Sequence, residues 1–248
     1  MHGVPGRDVE IAALEAGVVP ERYARNMKTY SLADQGALLR SRICVVGLGG
    51  LGGTVVEILG RLGAGTLRLI DGDTFEESNL NRQFLSQEKG LGKAKALTAE
   101  RRVAAINASV VVNAHEAYLT EGNALLMLSD SDVAIDCLGG LKGRFVLERA
   151  AKKAGCPLVS AAVAGLSGHL TTIFPSDPGL QLIYGDAASL PPAGAEASLG
   201  CLPQVTTLFA SLACSEAARI SLRKKPLLRN RVMVIDLDDM VTDIVDLS

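Results

Sequence analysis

Tryptophan is absent from this 248-residue chain, which has only five Phe, four Tyr and five Cys. The cysteines, at positions 44, 137, 156, 201 and 214, are odd in number and widely spaced, and none forms a C-x-x-C pair. We therefore expect no zinc clip. We interpret the cysteines as free thiols of a protein from a reduced compartment, the cytoplasm.

A strong charge of either sign is also missing, because the formal net charge is −2. This balance gives no electrostatic case for nucleic-acid binding. Residues 154–175 and 198–215 contain no Asp, Glu, Lys or Arg, but both stretches carry Pro, Gly and hydroxyl side chains. We predict buried strands and a buried helix there, and no membrane span. The opening MHGVPGRDVE lacks an apolar core, so we expect no signal peptide.

The composition favours an α/β fold, since 48% of the residues are hydrophobic and 26 are Gly. We predict one domain over residues 1–248, with residues 1–42 as an N-terminal helical extension. The predicted fold is Rossmann-like, with a mostly parallel sheet flanked by helices and antiparallel strands added toward the C-terminus. Strands are predicted at 43–46, 66–71, 110–114, 133–137, 157–162, 169–174, 231–237 and 240–245, and helices at 20–30, 31–42, 51–62, 94–106, 121–129, 143–153 and 204–222.

The glycine-rich run ICVVGLGGLGG, residues 43–53, organises the rest of the chain. Gly47, Gly49 and Gly52 fit the G-x-G-x-x-G spacing after a strand, with Gly50 added, and Asp71 ends the next apolar run. The glycines let the backbone approach a phosphate, and the following helix points its positive N-terminus at it. An acidic residue in the position of Asp71 suits ribose hydroxyls, so this region predicts a nucleotide site.

Polar residues just beyond Asp71 narrow the class of nucleotide. Asn79, Arg82, Gln83 and Lys95 follow in a region where a plain dehydrogenase gains nothing from them. Arginine offers a fork to phosphate oxygens and lysine a movable point charge, so the two cations suit a triphosphate better than a hydride donor. Asp73 is open to three interpretations: it caps the turn, binds ligand or merely shapes the loop.

Five successive motifs carry a resemblance to a known family. They are GLGGLG (47–52), GAG (63–65), DGD (71–73), SNLNRQ (78–83) and GKAK (92–95). In this order and spacing they resemble the MoeB/ThiF/HesA group, bacterial relatives of the ubiquitin-activating E1 enzymes. Upstream, Arg22-Tyr23-Ala24-Arg25 is similar to the group's RYxRQ, with Asn26 where Gln is usual.

The resemblance implies an ATP-dependent adenylyltransferase. The carboxylate of the C-terminal glycine of a ubiquitin-like sulfur carrier, a small β-grasp protein ending in Gly-Gly, would attack the α-phosphate of ATP. In the family, an Arg of the SNLNRQ loop and the Lys of the GxxK motif contact the ATP phosphates, and they correspond to Arg82 and Lys95. A further family arginine, which corresponds to Arg25, crosses a homodimer interface to reach the nucleotide of the other subunit. No general base is required, because the carboxylate is already ionised at neutral pH. Sulfur transfer for molybdopterin or thiamine would follow.

This chain departs from the family pattern at the end of the fourth predicted strand. The family run D-x-x-D-N, whose second Asp helps to hold Mg²⁺, appears here as Asp136-Cys137-Leu138-Gly139-Gly140. Gly139 therefore stands where the metal ligand is expected, and Asp136 is predicted to be structural. We expect Mg²⁺ with ATP but assign it no protein ligand. The crossover segment, residues 175–199, lacks the family's zinc C-x-x-C, so that metal site is predicted absent.

Several alternatives stay open at this stage. Gly139 also fits a nucleotide-binding regulatory or scaffold homodimer without adenylation. An NAD-dependent oxidoreductase would leave Arg82 and Lys95 unexplained, and activation of a small-molecule or RNA-borne carboxylate is a variant of the leading hypothesis. Cys201, just before a predicted helix, is interpreted as a buried or capping thiol, with a lowered pKa and a nucleophile role as the alternative. His169 is predicted to be structural, since no acid or nucleophile pairs with it by a known motif.

Overall fold

The computed structural model describes residues 5–191 and 193–247. In chain order, the strands in these residues are β1 (Arg42–Val46), β2 (Thr66–Ile70), β3 (Val111–His115), β4 (Val133–Asp136), β5 (Leu158–Ala164), β6 (Ser167–Ile173), β7 (Arg231–Asp236) and β8 (Val241–Asp246). They form one sheet in the order β3-β2-β1-β4-β5-β6-β7-β8. The strand predictions are thus confirmed in number and order.

The helices of the described residues flank this sheet. They are α1 (Gly6–Glu15), α2 (Leu32–Arg40), α3 (Gly50–Leu62), α4 (Lys95–Ile106), α5 (Ala124–Leu128), α6 (Leu141–Ala154), α7 (Gln181–Tyr184), α8 (Glu196–Leu199) and α9 (Pro203–Ser221). Ser31 caps α2 as its position predicts, with its hydroxyl accepting the Asp34 N–H at 3.1 Å.

The first five strands of the sheet are parallel and the last three are added antiparallel. Strand β1 lies between β2 and β4, so that Val46 is in register with both Ile70 and Asp136. From β1 the chain adds β2 and β3 on one side and then β4 and β5 on the other. In such sheets, ligands bind at the carboxyl ends of the strands where the strand order reverses. The predicted Rossmann-like fold class is confirmed.

Strand β1 is buried on both faces, which explains its unbroken apolar run. Ile43 and Val45 pack into a core shared with α3, α4 and α9, whereas Cys44 and Val46 pack into a second core shared with α5 and α6. All four side chains are at most 1% exposed. The helix layers on both faces therefore hold the end of β1, and with it the glycine loop, in a fixed position.

The prediction of one helix over residues 20–30 is wrong. The segment forms a short 3-10 turn at Glu21–Tyr23 followed by further turns. Tyr23 is fully buried, and its hydroxyl donates to Glu10 at 3.0 Å and accepts from Asn107 at 2.9 Å. Docking of this one side chain against two distant elements outweighs the weak helical preference of the segment.

The two stretches without charged side chains supply mainly buried strands and a buried helix of the fold. Residues 154–175 supply β5 and β6, and residues 198–215 supply most of α9. No helix in the part of the chain that the structure describes has both the length and the hydropathy needed to cross a membrane. The prediction of buried strands and a buried helix is confirmed.

Candidate nucleotide-binding site

A cavity of about 1190 Å³ opens at the carboxyl ends of β1, β2 and β4. The predicted site residues in its wall are Gly47, Gly49, Gly50, Asp71, Asp73, Asn79, Arg82, Gln83 and Lys95. The glycine loop, the end of β2 and the loop that carries Arg82 thus line one cavity, as the sequence predicts for a nucleotide site.

The glycine loop allows the backbone to pass very close to its neighbours. Gly47 has a φ of +88°, and a Cβ there would lie 2.7 Å from the carbonyl oxygen of Cys137. Gly52 lies in the first turn of α3 rather than in the cavity wall, and a Cβ on it would lie 1.8 Å from the Gly47 carbonyl oxygen. Any larger residue at either position would displace the loop from the N-terminus of α3, which faces the cavity.

Asp71 braces the glycine loop from the end of β2. One carboxylate oxygen accepts the Leu48 N–H at 2.6 Å, and the other accepts the Asp73 N–H at 2.7 Å. Burial raises the pKa of Asp71, while these two hydrogen bonds and the charge of Lys95 oppose the increase. Asp71 therefore fixes the loop geometry as well as lining the cavity.

Asp73 holds the predicted lysine in the cavity wall. Its Oδ2 pairs with Lys95 Nζ at 3.1 Å, and its Oδ1 accepts the hydroxyl of Tyr118 at 2.7 Å. Burial tends to raise the pKa of Asp73, but these two partners hold it below its ordinary value. The Lys95 side chain is only 8% exposed, so its ammonium group is confined to this wall. Tyr118 was not predicted, because no motif links it to Asp73.

The loop after Asp73 presents further polar groups to the cavity. Arg82 donates through Nη1 to Ser78 O at 3.0 Å and to Asn81 Oδ1 at 2.8 Å, while its Nε and Nη2 donate to no residue that the structure describes. Gln83 is 5% exposed, and its Oε1 has no hydrogen-bond partner within the described ranges. Since buried polar atoms are normally paired, Gln83 Oε1 indicates a polar ligand.

An ion pair that the sequence did not reveal supports the far wall of the cavity. Asp136 is fully buried at the end of β4 and accepts hydrogen bonds from Arg144 Nη1 at 2.9 Å, Ser160 Oγ at 2.7 Å and the Leu138 N–H at 3.0 Å. This is the structural role predicted for Asp136. Arg144 lines the cavity, and its Nε is buried without a partner among the described residues.

His169 also lies in the far wall, where it contacts Tyr184. The Tyr184 hydroxyl lies 2.8 Å from His169 Nε2, and Nδ1 is buried without a partner in the described part of the chain. Burial, together with the positive charge of Arg144, lowers the pKa of His169 to about 4. His169 is therefore neutral at pH 7 and offers one unused ring nitrogen. The partner was not predicted, because Tyr184 comes from a stretch of sequence without periodicity.

Gly139 lies beside Glu196 in the cavity wall. A Cβ added to Gly139 would have Glu196 Oε1, at 3.9 Å, as its only neighbour within 4 Å among the described residues. Cys201 lies in the same wall with its thiol 3.6 Å from the Val163 carbonyl oxygen. The alternative of a lowered thiol pKa is wrong, because burial raises the pKa of Cys201 despite the nearby charge of Arg82.

Arg25 lies outside this cavity. Its side chain is exposed and forms no hydrogen bond or ion pair with any residue in the described ranges. Within this chain it does not reach the other site residues.

Metal ligands are sparse across the described residues, where no group of three His, Cys, Asp or Glu side chains could hold an ion alone. The cavity still fits Mg²⁺ that arrives with a triphosphate, because such an ion keeps several waters and takes only one or two carboxylates from the protein. Four carboxylates are present in the wall: Asp71, Asp73, Glu76 and Glu196.

The fold and the cavity together define a Rossmann-like nucleotide-binding protein. The chain belongs to the ThiF family, whose family model matches residues 23–247. This confirms the resemblance carried by the glycine loop and SNLNRQ, and it places the chain in a family whose members include E1-like adenylyltransferases.

Three similar proteins illustrate the relationship. The SAMP-activating enzyme E1 of Haloferax volcanii is 31% identical over 230 residues, covering 91% of this chain and 84% of that protein. The adenylyltransferase and sulfurtransferase uba4 of Aspergillus clavatus is 38% identical over 155 residues, covering 62% of this chain and 32% of that protein. The crystal structure of E. coli MccB with ATP has a TM-score of 0.78 at 20% identity, covering 92% of this chain and 72% of that chain, and is similar in fold.

Proposed function

We propose that this protein uses ATP to activate the C-terminal glycine carboxylate of a small ubiquitin-like sulfur carrier as an acyl-adenylate. The observation that carries the proposal is that Arg82 and Lys95 line the same cavity as the glycine loop and Asp71. Phosphate-binding backbone, a carboxylate suited to ribose and two cations are what a bound triphosphate needs. The relative from Haloferax volcanii, named for activating SAMP, supports a protein substrate.

The roles of the residues follow from their positions. The glycine loop and the N-terminus of α3 would bind phosphates, and Asp71 would accept hydrogen bonds from ribose. Lys95 and the free nitrogens of Arg82 would stabilise the negative charge that develops on the phosphates. Asn79 and Gln83 would orient the phosphate chain through their amides.

The reaction needs no proton transfer from the protein. A carboxylate oxygen of the carrier attacks the α-phosphorus, the bond from that phosphorus to the bridging oxygen breaks, and pyrophosphate leaves with the electron pair. Mg²⁺ bound with ATP would neutralise part of the phosphate charge, with oxygen ligands from the cavity carboxylates. The contribution of the protein is to position the two reactants and to supply positive charge.

A homodimer would complete the site. Arg25 is exposed and without an ion-pair partner in the described ranges, which suits a side chain that acts across an interface. Leu80 and Phe84, on either side of Arg82, are 36% and 55% exposed, and such apolar side chains are typical of a surface that a second subunit covers. We propose that Arg25 of the partner subunit approaches the phosphates there. A complementation test would measure pyrophosphate exchange in mixed dimers of Arg25→Ala and Arg82→Ala chains. One site of each mixed dimer would contain both arginines, one from each chain.

Pyrophosphate exchange tests the proposed reaction. Purified protein is incubated with ATP, labelled pyrophosphate, Mg²⁺ and a β-grasp carrier ending in Gly-Gly, with the same carrier lacking its last glycine as the control. We expect label to enter ATP only with the complete carrier. Binding of ATP without exchange, with every β-grasp carrier that the source genome encodes and with Mg²⁺, Mn²⁺ or Co²⁺, would contradict adenylation. It would favour the second candidate, a nucleotide-binding regulatory or scaffold dimer, which Gly139 motivates.

A further inference from the structure

Glu196 is placed where the missing carboxylate at position 139 would act. Its Oε1 lies 3.9 Å from the position of a Cβ at Gly139, and an Asp there would direct its own carboxylate into the same part of the cavity. We propose that Glu196 supplies the protein ligand for the divalent cation that Gly139 cannot supply. This inference rests on the proposed function, since it assumes that the cavity binds a metal–triphosphate complex.

Two of the other carboxylates of the cavity are already engaged. Asp71 accepts two backbone N–H groups, and Asp73 accepts Lys95 and Tyr118. Glu76 lies on the loop that carries Arg82, where its backbone N–H donates to Asn79 Oδ1 at 3.2 Å. Glu196 is the carboxylate beside Gly139, and it makes no hydrogen bond or ion pair with the residues that the structure describes. It can therefore bind a cation without breaking a hydrogen bond or ion pair.

The local backbone makes room for the Glu196 carboxylate. A Cβ on Gly194 would lie 2.1 Å from Glu196 Oε2, so a larger residue at position 194 would push the carboxylate away. Gly139 in turn has no other neighbour within 4 Å of its hypothetical Cβ in the described residues, and its φ lies outside the left-handed region. An Asp can therefore be accommodated at position 139.

The rest of the cavity can accommodate a hydrated Mg²⁺ that is bound to a phosphate. Gln83 Oε1, buried without a described partner, lines the same cavity and can accept a hydrogen bond from a metal-bound water. Mg²⁺ needs only one or two carboxylates beside phosphate oxygens and water. One carboxylate from Glu196 meets that requirement, which explains why no three-ligand cluster is needed.

The test measures the binding of ATP to the whole protein by calorimetry, first with EDTA and then with Mg²⁺, and the binding of Mn²⁺ to the ATP complex by electron paramagnetic resonance. Glu196→Gln should bind metal-free ATP like the parent protein but lose the increase in ATP affinity that Mg²⁺ gives. Loss of one ligand should weaken Mn²⁺ binding by about tenfold or more. Glu88→Gln, an exposed change of equal charge outside the cavity, should keep the parent's values.

The swap Gly139→Asp/Glu196→Gln should restore the metal-dependent increase, because it returns one carboxylate to the same volume. Undiminished Mn²⁺ binding by Glu196→Gln, or loss of binding in Glu76→Gln instead, would overturn the assignment of Glu196 while leaving the proposed function intact. Failure of the parent protein to bind ATP in EDTA or with any metal would overturn both.

Discussion

The two walls of the cavity are built in different ways. The wall from β1 to Lys95 comes from a continuous stretch of sequence whose glycines, acid and cations follow a recognisable spacing. The wall facing it combines α6, β6 and α8, so that Arg144, His169 and Glu196 come from positions far apart in the chain. The first wall supplies the chemistry shared by the family, and the second is where this chain differs from the family pattern.

The ion pair in the far wall should give the largest effect on stability. Arg144→Met leaves the Asp136 carboxylate buried without its charged partner, and we expect the free energy of unfolding to fall by about 3–5 kcal/mol. Urea denaturation measures this change. Arg149→Met, on the same helix, removes an exposed ion pair with Glu121 and should cost about 1 kcal/mol or less. Equal losses in the two variants would show that the far wall is not organised around the Asp136 pair.

The pH dependence of stability should depend on His169. Its pKa in the folded protein, about 4, lies below the ordinary value of 6.5, so between these values the unfolded chain binds more protons. Stability should therefore fall as pH decreases from about 6.5 to 4, by about 3 kcal/mol at most. His169→Gln keeps a polar group beside Tyr184 and should remove this part of the pH dependence. Parallel profiles of unfolding free energy against pH for the two proteins would contradict a buried neutral histidine.

The smallest effect is expected at Cys201. Because burial raises the pKa of its thiol, little thiolate is present at neutral pH, and Cys201→Ala should exchange pyrophosphate at nearly the rate of the parent protein. A matched comparison is Cys156→Ala, whose thiol pKa is also raised by burial, to about 12. Loss of exchange in Cys201→Ala alone, with a thioester to the carrier trapped in the parent protein, would restore the nucleophile interpretation.

The sequence predicted the fold and the first wall because both depend on local pattern. The apolar run of β1 shows burial on both faces, and the spacing from Gly47 to Asp71 specifies a strand, a turn, a helix and a second strand. The second wall depends on tertiary packing that local pattern does not encode. Glu196 and Tyr184 lie in a segment without periodicity, and the turn at Glu21–Tyr23 forms because Tyr23 is buried against distant residues.

Lys95 and Lys93 offer the most direct test of the central claim, that this cavity binds a triphosphate through its cations. They lie two residues apart, but Lys95 is buried in the cavity wall against Asp73, whereas Lys93 is exposed and outside the cavity. Pyrophosphate exchange should fall by about 100- to 1000-fold in Lys95→Ala and remain close to the parent rate in Lys93→Ala. Equal rates in the two variants would contradict the account.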